Sequence, residues 1–233
     1  MKENVLSLRN ITKQYVLGDE VLTVLNQLTL DVNRNDFIAL TGPSGSGKST
    51  LMNILGCLDK ATSGEYYLGD RNVSQLNQDE LSAVRNKRIG FIFQSFNLLP
   101  RQTALDNVAQ PLIFRGEKPA RRRELAAQAL TEVGLGDRLS HYPNQLSGGQ
   151  KQRVAVARAL VGKPDILLAD EPTGNLDSKT TDSMMKLFES LHAQGQTLVI
   201  VTHEADIAER CLRQIVLRDG VIESDSGGAQ HGF

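Results

Sequence analysis

Apolar residues in the first forty positions fall in alternating or β-branched runs. VLSLRN, VLTVLNQLTLDV and FIALTG each carry the pattern of a strand, and together they predict an opening β-rich section. Leu17, Gly18 and Asp19 supply a turn between the first two runs. SGEYYLG and RIGFIFQ (88–94) predict two further short strands. Between residues 94 and 135 the period becomes helical: TALDNVAQPLIF, which Pro111 kinks or ends, is followed by a segment opened by Pro119. QKQRVAVARALVG is a helix stopped by Gly162 and Pro164, and DILLAD is short and apolar enough for a buried parallel strand. A helix over 178–193, the strand QTLVIVT, a short helix and the strands RQIVLRDG and VIES complete the pattern. SGGAQHGF (226–233) reads as a frayed tail.

Strands that alternate with helices predict an α/β fold with a mainly parallel sheet. The expected division is one domain: a core from 1–94 and 162–225 that includes the β section, and an inserted helical subdomain over about 95–161. No internal repeat and no linker long enough to separate independent domains is present. A chain of 233 residues buries a sizeable core without disulfides, and Cys57 and Cys211 fall in patterned segments that read as inert packing. The net charge of −1 provides no global field for nucleic acid or anionic lipid, so no nucleic-acid partner is expected. Arg121, Arg122 and Arg123 lie in KPARRRELAAQALTEVG, where apolar residues recur at helical spacing, and read as a solvated helix face. No apolar run approaches the ~18 residues of a membrane span, and the charged amino terminus is not a signal peptide.

Chemistry enters through two glycine turns about a hundred residues apart. The first, GPSGSGKS, is formed by Gly42, Pro43, Ser44, Gly45, Ser46, Gly47, Lys48 and Ser49, with Thr50 next. It matches G-x-x-x-x-G-K-[ST], in which backbone N–H groups curl around phosphate oxygens, the Lys reaches the β/γ-phosphates and the Ser/Thr hydroxyl ligates Mg²⁺. FIALTG leads into it and a helix from Lys48 to about Cys57 follows, so the strand, turn and helix context is complete. The second is LSGGQ, with Ser147, Gly148, Gly149 and Gln150. Ser147 is a good N-cap for the next helix, but capping alone does not require two glycines; their missing side chains suit the approach of a phosphate. One nucleotide is already satisfied by the first loop, so the economical reading of the second is a phosphate held by another copy of the chain.

ILLADE places Asp170 and Glu171 at the end of an apolar strand, where α/β sheets put ligands. Asp170 is the natural partner of Mg²⁺. Glu171 either caps a turn before Pro172 or polarises the water that attacks the γ-phosphate, and its place after a phosphate loop favours the base. His203 follows QTLVIVT and is either structural or a hydrogen-bond donor to the γ-phosphate. Gln94 ends another strand, where its amide can sense Mg²⁺ or water. After it, Phe96, Leu98, Leu99 and Pro100 form an apolar loop that packs on the helical subdomain or invites a partner. Tyr15 either packs in an edge strand or offers its ring to adenine.

Taken together these residues resemble the ATP-binding cassette (ABC) ATPases over nearly the whole chain. GPSGSGKS resembles Walker A, Gln94 the Q-loop, LSGGQ the signature, ILLADE Walker B, GNLD with Asp177 the D-loop, His203 the switch histidine and Tyr15 the A-loop aromatic. The resemblance implies an ATPase that binds ATP and Mg²⁺, as a head-to-tail homodimer in which each ATP lies between one copy's Lys48 loop and the other's Ser147 and Gly149. It implies as well that closure drives a membrane partner through the region of Gln94 to Pro100. FIFQSFNLLP, YPNQLSGGQ and LADEPTGNLD look most like cassettes of lipoprotein-releasing and macrolide-efflux transporters; the cell-division cassette shares much of this pattern. With no fused span, the expected partners are separately encoded permease chains, placing this one at the cytoplasmic side of the inner membrane.

Overall fold

A computed structural model describes residues 3–227. The chain opens with a long antiparallel hairpin, β1 (Asn4–Leu17) and β2 (Glu20–Asn33), closed by a two-residue turn in which Gly18 has φ 63°. A left-handed residue is what a tight hairpin turn demands, and glycine adopts it without steric cost. β4 (Ser63–Leu68) pairs with β1 and with the two-residue β5 (Arg71–Asn72), giving a four-stranded sheet of order β2-β1-β4-β5.

β3 (Phe37–Thr41) leaves this sheet. It lies instead between β8 (Thr197–Val201) and β9 (Arg213–Arg218) in a second sheet, β10-β9-β3-β8-β7-β6, with β6 at Ile89–Phe93, β7 at Ile166–Asp170 and β10 at Val221–Asp225. The grouping of FIALTG with the two preceding runs is therefore corrected. Those runs alternate, whereas Phe37, Ile38, Ala39 and Leu40 are all buried, as in a parallel strand covered on both faces. Five strands of this sheet are parallel, and β10 is an antiparallel edge.

Alternate residues of the parallel strands feed two cores. Ile38, Leu40, Ile166, Leu168, Val199 and Val201 join the antiparallel sheet, α1 (Lys48–Leu55) and α2 (Gln78–Arg88). Ala39, Leu167, Ala169, Leu198 and Ile200 join α3 (Ala104–Phe114), α4 (Pro119–Glu132), α5 (Gly148–Leu160), α6 (Ser178–Ala193) and α7 (Ala205–Glu209). The helices α3, α4 and α5 lie between β6 and β7 in sequence and pack on one another.

Three features depart from the sequence pattern. Pro111 does not end its helix: α3 continues to Phe114. The proline removes one backbone donor, yet apolar Val108, Ala109 and Leu112 still bury on the same stripe, and packing outweighs the loss. α2 was hidden because only Leu81 and Val84 of its eleven residues are buried; its signal was the Asn77/Glu80 capping box instead of an apolar stripe. Ser226 and Gly227 are tied down, through Ser226 N–H to the Gln214 carbonyl at 3.0 Å and Gly227 N–H to Asp225 Oδ1 at 3.0 Å, and the rest of the expected frayed tail lies outside the described residues. Burial pushes the thiols of Cys57 up to about 11 and Cys211 up to about 12, so both stay protonated, in keeping with inert packing.

Candidate active site

Four loops meet at the C-terminal edge of the parallel sheet because the strand register aligns their ends. Phe93 pairs with Asp170, Asp170 with Val201, and Leu40 with Val201. The residues just beyond that row, Gln94, Glu171 and Thr202, therefore emerge side by side, next to the loop that follows Thr41. Neighbouring strands are ~4.8 Å apart, so groups about 30 to 160 residues apart in sequence reach one cleft.

The glycine loop between β3 and α1 turns tightly. Gly42 has φ 142°, and a Cβ there would lie 2.0 Å from the Leu217 carbonyl oxygen, so only glycine fits. Gly45 has φ 80° and meets nothing within 4 Å, leaving its face of the loop open. Lys48 Nζ donates to the Gly42 and Pro43 carbonyls, each at 2.8 Å, which holds the ammonium across the loop. Ser46 Oγ is buried without a hydrogen-bond partner among the described residues. The first turn of α1, with Ser49 and Thr50, has N–H groups that no residue of the helix can accept. This cradle of donors, an ammonium and an orphaned hydroxyl fits a polyphosphate.

Asp170 is half-buried at the end of β7, and its carboxyl is raised from the usual value by burial and by the charge of Glu171, with Lys48 opposing. A carboxylate held at that cost suits a cation. Among the described residues no group of three or more His, Cys, Asp and Glu gathers to hold a metal. The residues expected to hold it, Ser49, Gln94 and Asp170, offer a sparse oxygen set of the kind Mg²⁺ takes when phosphate and water complete it.

Glu171 adopts φ 44°, a left-handed conformation costing a non-glycine residue about 1–3 kcal/mol. Its N–H still donates to Val201 O at 3.0 Å, and its Oε1 lies 2.9 Å from Nδ1 of His203. His203 is mostly exposed while Glu171 is partly buried. The structure thus brings together Lys48, Asp170, Glu171 and His203, but Gln94 stands differently. Its amide packs on Gly174, close enough that a Cβ there would lie 2.6 Å from Nε2, and no hydrogen bond joins it to Ser49 or Asp170 among the described residues.

Tyr15 is not core: its side chain is partly exposed, its hydroxyl donates to Asp59 Oδ2 at 3.1 Å, and Lys13 Nζ stands 4.9 Å from the ring centre. Of the loop after Gln94, Leu98 packs against the helical core while Leu99 is exposed. Arg158 fixes the loop by donating to the Phe96 and Asn97 carbonyls. Asp177 caps α6, accepting from Thr180 N at 3.0 Å and from Thr180 Oγ1 at 2.6 Å.

Ser147 caps α5, forming a capping box with Gln150. The need for Gly149 has an internal cause as well as the one read from the sequence: a Cβ would meet Thr180 Cγ2 at 2.4 Å, so α5 and α6 pack through it. Gly148 is looser, its nearest neighbour 3.6 Å away. Sequence reasoning missed Gln152 and Thr173, both buried polar residues beside the site. The signal for Gln152 was available, since it lies on the same stripe as Ala155, Val156 and Ala159, an amide where an aliphatic residue is expected.

A parallel α/β sheet with a phosphate loop, a strand-end Asp-Glu pair and a histidine on the glutamate defines a P-loop nucleoside triphosphatase. The sequence profile of the ABC transporter family matches residues 25–174, and the chain belongs to that family. It is an ATPase cassette that binds ATP with Mg²⁺. It is 50% identical over 224 residues to the ABC transporter ATP-binding protein YknY of Bacillus subtilis, covering 96% of this chain and 97% of that one. It is 51% identical over 222 residues to the macrolide export ATP-binding/permease protein MacB of Brucella melitensis, covering 95% of this chain but 34% of that protein. Among solved structures, the ATP-binding cassette MJ0796, a dimer in a post-hydrolysis state bound to ADP and Pi, superposes with a TM-score of 0.86 at 45% identity over 98% of this chain and all of that one.

Proposed function

We propose that this cassette is the motor subunit of an envelope transport machine and that two copies clasp ATP head to tail. The observation that carries the reading is the convergence of Lys48, Asp170, Glu171 and His203 at one sheet edge, with Glu171 and His203 in contact at 2.9 Å. The backbone from Gly42 to Thr50, with Lys48, takes the β/γ-phosphates, and Tyr15 offers its ring to adenine. Ser49, Gln94 and Asp170 are the residues that would hold Mg²⁺, which when bound neutralises charge on the phosphates. Glu171 accepts a proton from the attacking water. His203 holds Glu171 through Nδ1 and turns Nε2 toward the γ-phosphate.

The second half of each site is Ser147, Gly148, Gly149 and Gln150 of the other copy. Ser147 and Gly148 are exposed at the start of α5, and no hydrogen bond joins them to the Lys48 loop of the same chain among the described residues. The dimeric state of the similar cassette supports this reading. Asp177, at the start of α6, stands in the loop that would face the other copy.

A groove of about 960 Å³ beside the Gln94 to Pro100 segment supports a membrane partner. Leu58, Phe91, Phe93 and Phe114 line it, and Phe114 is 80% exposed. No helix among the described residues is long and apolar enough to cross a membrane, so a separately encoded permease would supply the spans. The work proposed is lipoprotein release or efflux of a hydrophobic, macrolide-like substrate, in line with the name of one relative, from the cytoplasmic side of the inner membrane. Capture from detergent-solubilised membranes tests it. A multispan chain should co-purify with the wild type and be lost from Phe114→Glu and Leu99→Glu variants that keep basal ATPase activity. Recovery of ribosomal or nucleic-acid partners alone would overturn it.

A further inference from the structure

Gln152 lies on α5, five residues after Ser147, and is fully buried. Its Nε2 donates to the Pro172 carbonyl at 2.7 Å and makes a long contact of 3.5 Å to the Phe93 carbonyl. Pro172 follows Glu171, and Phe93 precedes Gln94. One amide therefore holds the backbone at two neighbouring strand ends, from the helix that Ser147 caps and Gly148 and Gly149 begin.

Packing alone does not account for an amide there. Its Oε1 has no hydrogen-bond partner in the chain among the described residues, so burying it costs free energy that an aliphatic side chain would not. What the amide gains is its donor contacts to strand-end carbonyls. The next residue of the segment is held as well: Thr173 Oγ1 donates to Glu204 Oε1 at 3.0 Å, beside His203 in sequence. Pro172 and Thr173 are thus pinned between the start of α5 and the histidine loop. The left-handed backbone of Glu171 is a conformation that persists only where its surroundings enforce it, and these two contacts stand directly after it.

We propose that Gln152 is a positioning residue for hydrolysis: through Pro172 and Phe93 it ties the placement of Glu171 and Gln94 to the position of α5. It touches neither ATP nor the attacking water. A helix is stiff along its axis, so a force on Ser147 at the start of α5 reaches the Pro172 carbonyl through one side chain. The trigger for such a force rests on the composite-site reading above; the contacts themselves do not.

The test uses the full chain with Gln152→Met, which keeps length and volume but removes the amide. The expected result is a fall in kcat of at least tenfold with KM for ATP within threefold of wild type. Gln152→Glu is the second variant. Its buried carboxyl, neutral at lower pH, regains an O–H donor toward Pro172, so its kcat relative to wild type should rise at least threefold from pH 8 to pH 6. A kcat for Gln152→Met within twofold of wild type would overturn the proposal. So would parallel changes in kcat and KM with no pH-dependent recovery in Gln152→Glu, which would mark a packing role. If Gln152→Met does not fold, the Gln152→Glu profile decides. Light scattering of Glu171→Gln with ATP separates the two readings: no dimer there removes the composite site, whereas a dimer with wild-type turnover in Gln152→Met removes only the role of Gln152.

Discussion

Nδ1 of His203 lies 2.9 Å from Oε1 of Glu171, across thirty-two residues of sequence and two neighbouring strand ends. The contact leaves the ring mostly exposed, and on the function proposed above it orients the carboxylate. Glu171→Gln is expected to keep ATP binding, lower phosphate release by about 100-fold or more, and accumulate an ATP-bound dimer. His203→Ala is expected to lower turnover while shifting the melting temperature little. Phosphate release and light scattering measure both, and wild-type turnover in Glu171→Gln would remove the general-base assignment.

Ser147 stands exposed at the start of α5, its Oγ 3.3 Å from Gln150 N. Ser147→Arg places a long cation where the phosphate of another copy's nucleotide would sit, and removes a cap worth about 1 kcal/mol. The isolated chain should still bind ATP at the Lys48 loop, but ATP-driven dimerisation in the Glu171→Gln background should be abolished. A normal ATP dimer in the doubly substituted chain would sink the composite-site reading.

Gly149 and Thr180 are in such close contact that the two explanations for this glycine can be separated. Gly149→Ala should destabilise the chain by about 1–3 kcal/mol through overpacking against Thr180 Cγ2, since Thr180 is held by two bonds to Asp177 and cannot easily turn away. Thr180→Ser removes that methyl and keeps the hydroxyl. In a double-mutant cycle it should recover most of the lost stability in chemical denaturation. Recovery of stability without recovery of ATP-driven dimerisation would show that Gly149 also serves the approach of phosphate.

Asp59 accepts from Lys13 Nζ at 2.8 Å, the Lys60 N–H at 2.7 Å and the Tyr15 hydroxyl at 3.1 Å. Burial pulls its carboxyl up, but Lys13, the Lys60 amide and Tyr15 together hold it below the usual carboxylate value. A folded-state pKa below the unfolded one contributes stability above the unfolded value, ~3.9, and loses it as pH falls through the folded value. Asp59→Asn should therefore lower the melting temperature by about 1–3 °C at pH 7, the scale of a solvent-exposed ion pair in a chain of this size. The difference should shrink below about pH 4, and a constant offset across that range would show that the carboxylate charge is not the cause.

Local chemistry was legible without coordinates wherever one short segment carries it whole. GPSGSGKS holds its strand, glycines, lysine and helix start within a dozen residues, and Ser147 announces its own helix, because φ/ψ demands and caps are properties of neighbours in sequence. The same holds for the buried strands of the second half, where the runs ILLA and LVIV are apolar and mark burial on both faces. α2 escaped because exposure of most of its residues erased the period, and Pro111 left open whether α3 ended there because its cost is local while the packing that offsets it is not.

What tertiary structure alone decided are the relations between distant segments. That β3 joins the parallel sheet, that Phe93, Asp170 and Val201 share one row, and that His203 therefore reaches Glu171 all depend on register, which a sequence pattern of period two does not number. Gln152 shows the limit most plainly. As a letter it is one polar residue on an apolar stripe; only the packing of α5 against the ends of β6 and β7 puts its amide on the carbonyls of Phe93 and Pro172. Sequence by itself determined which groups this ATPase carries, because capping, turn geometry and burial act locally. The fold decided which of them meet, because contact across strands is set by the packing of the whole core.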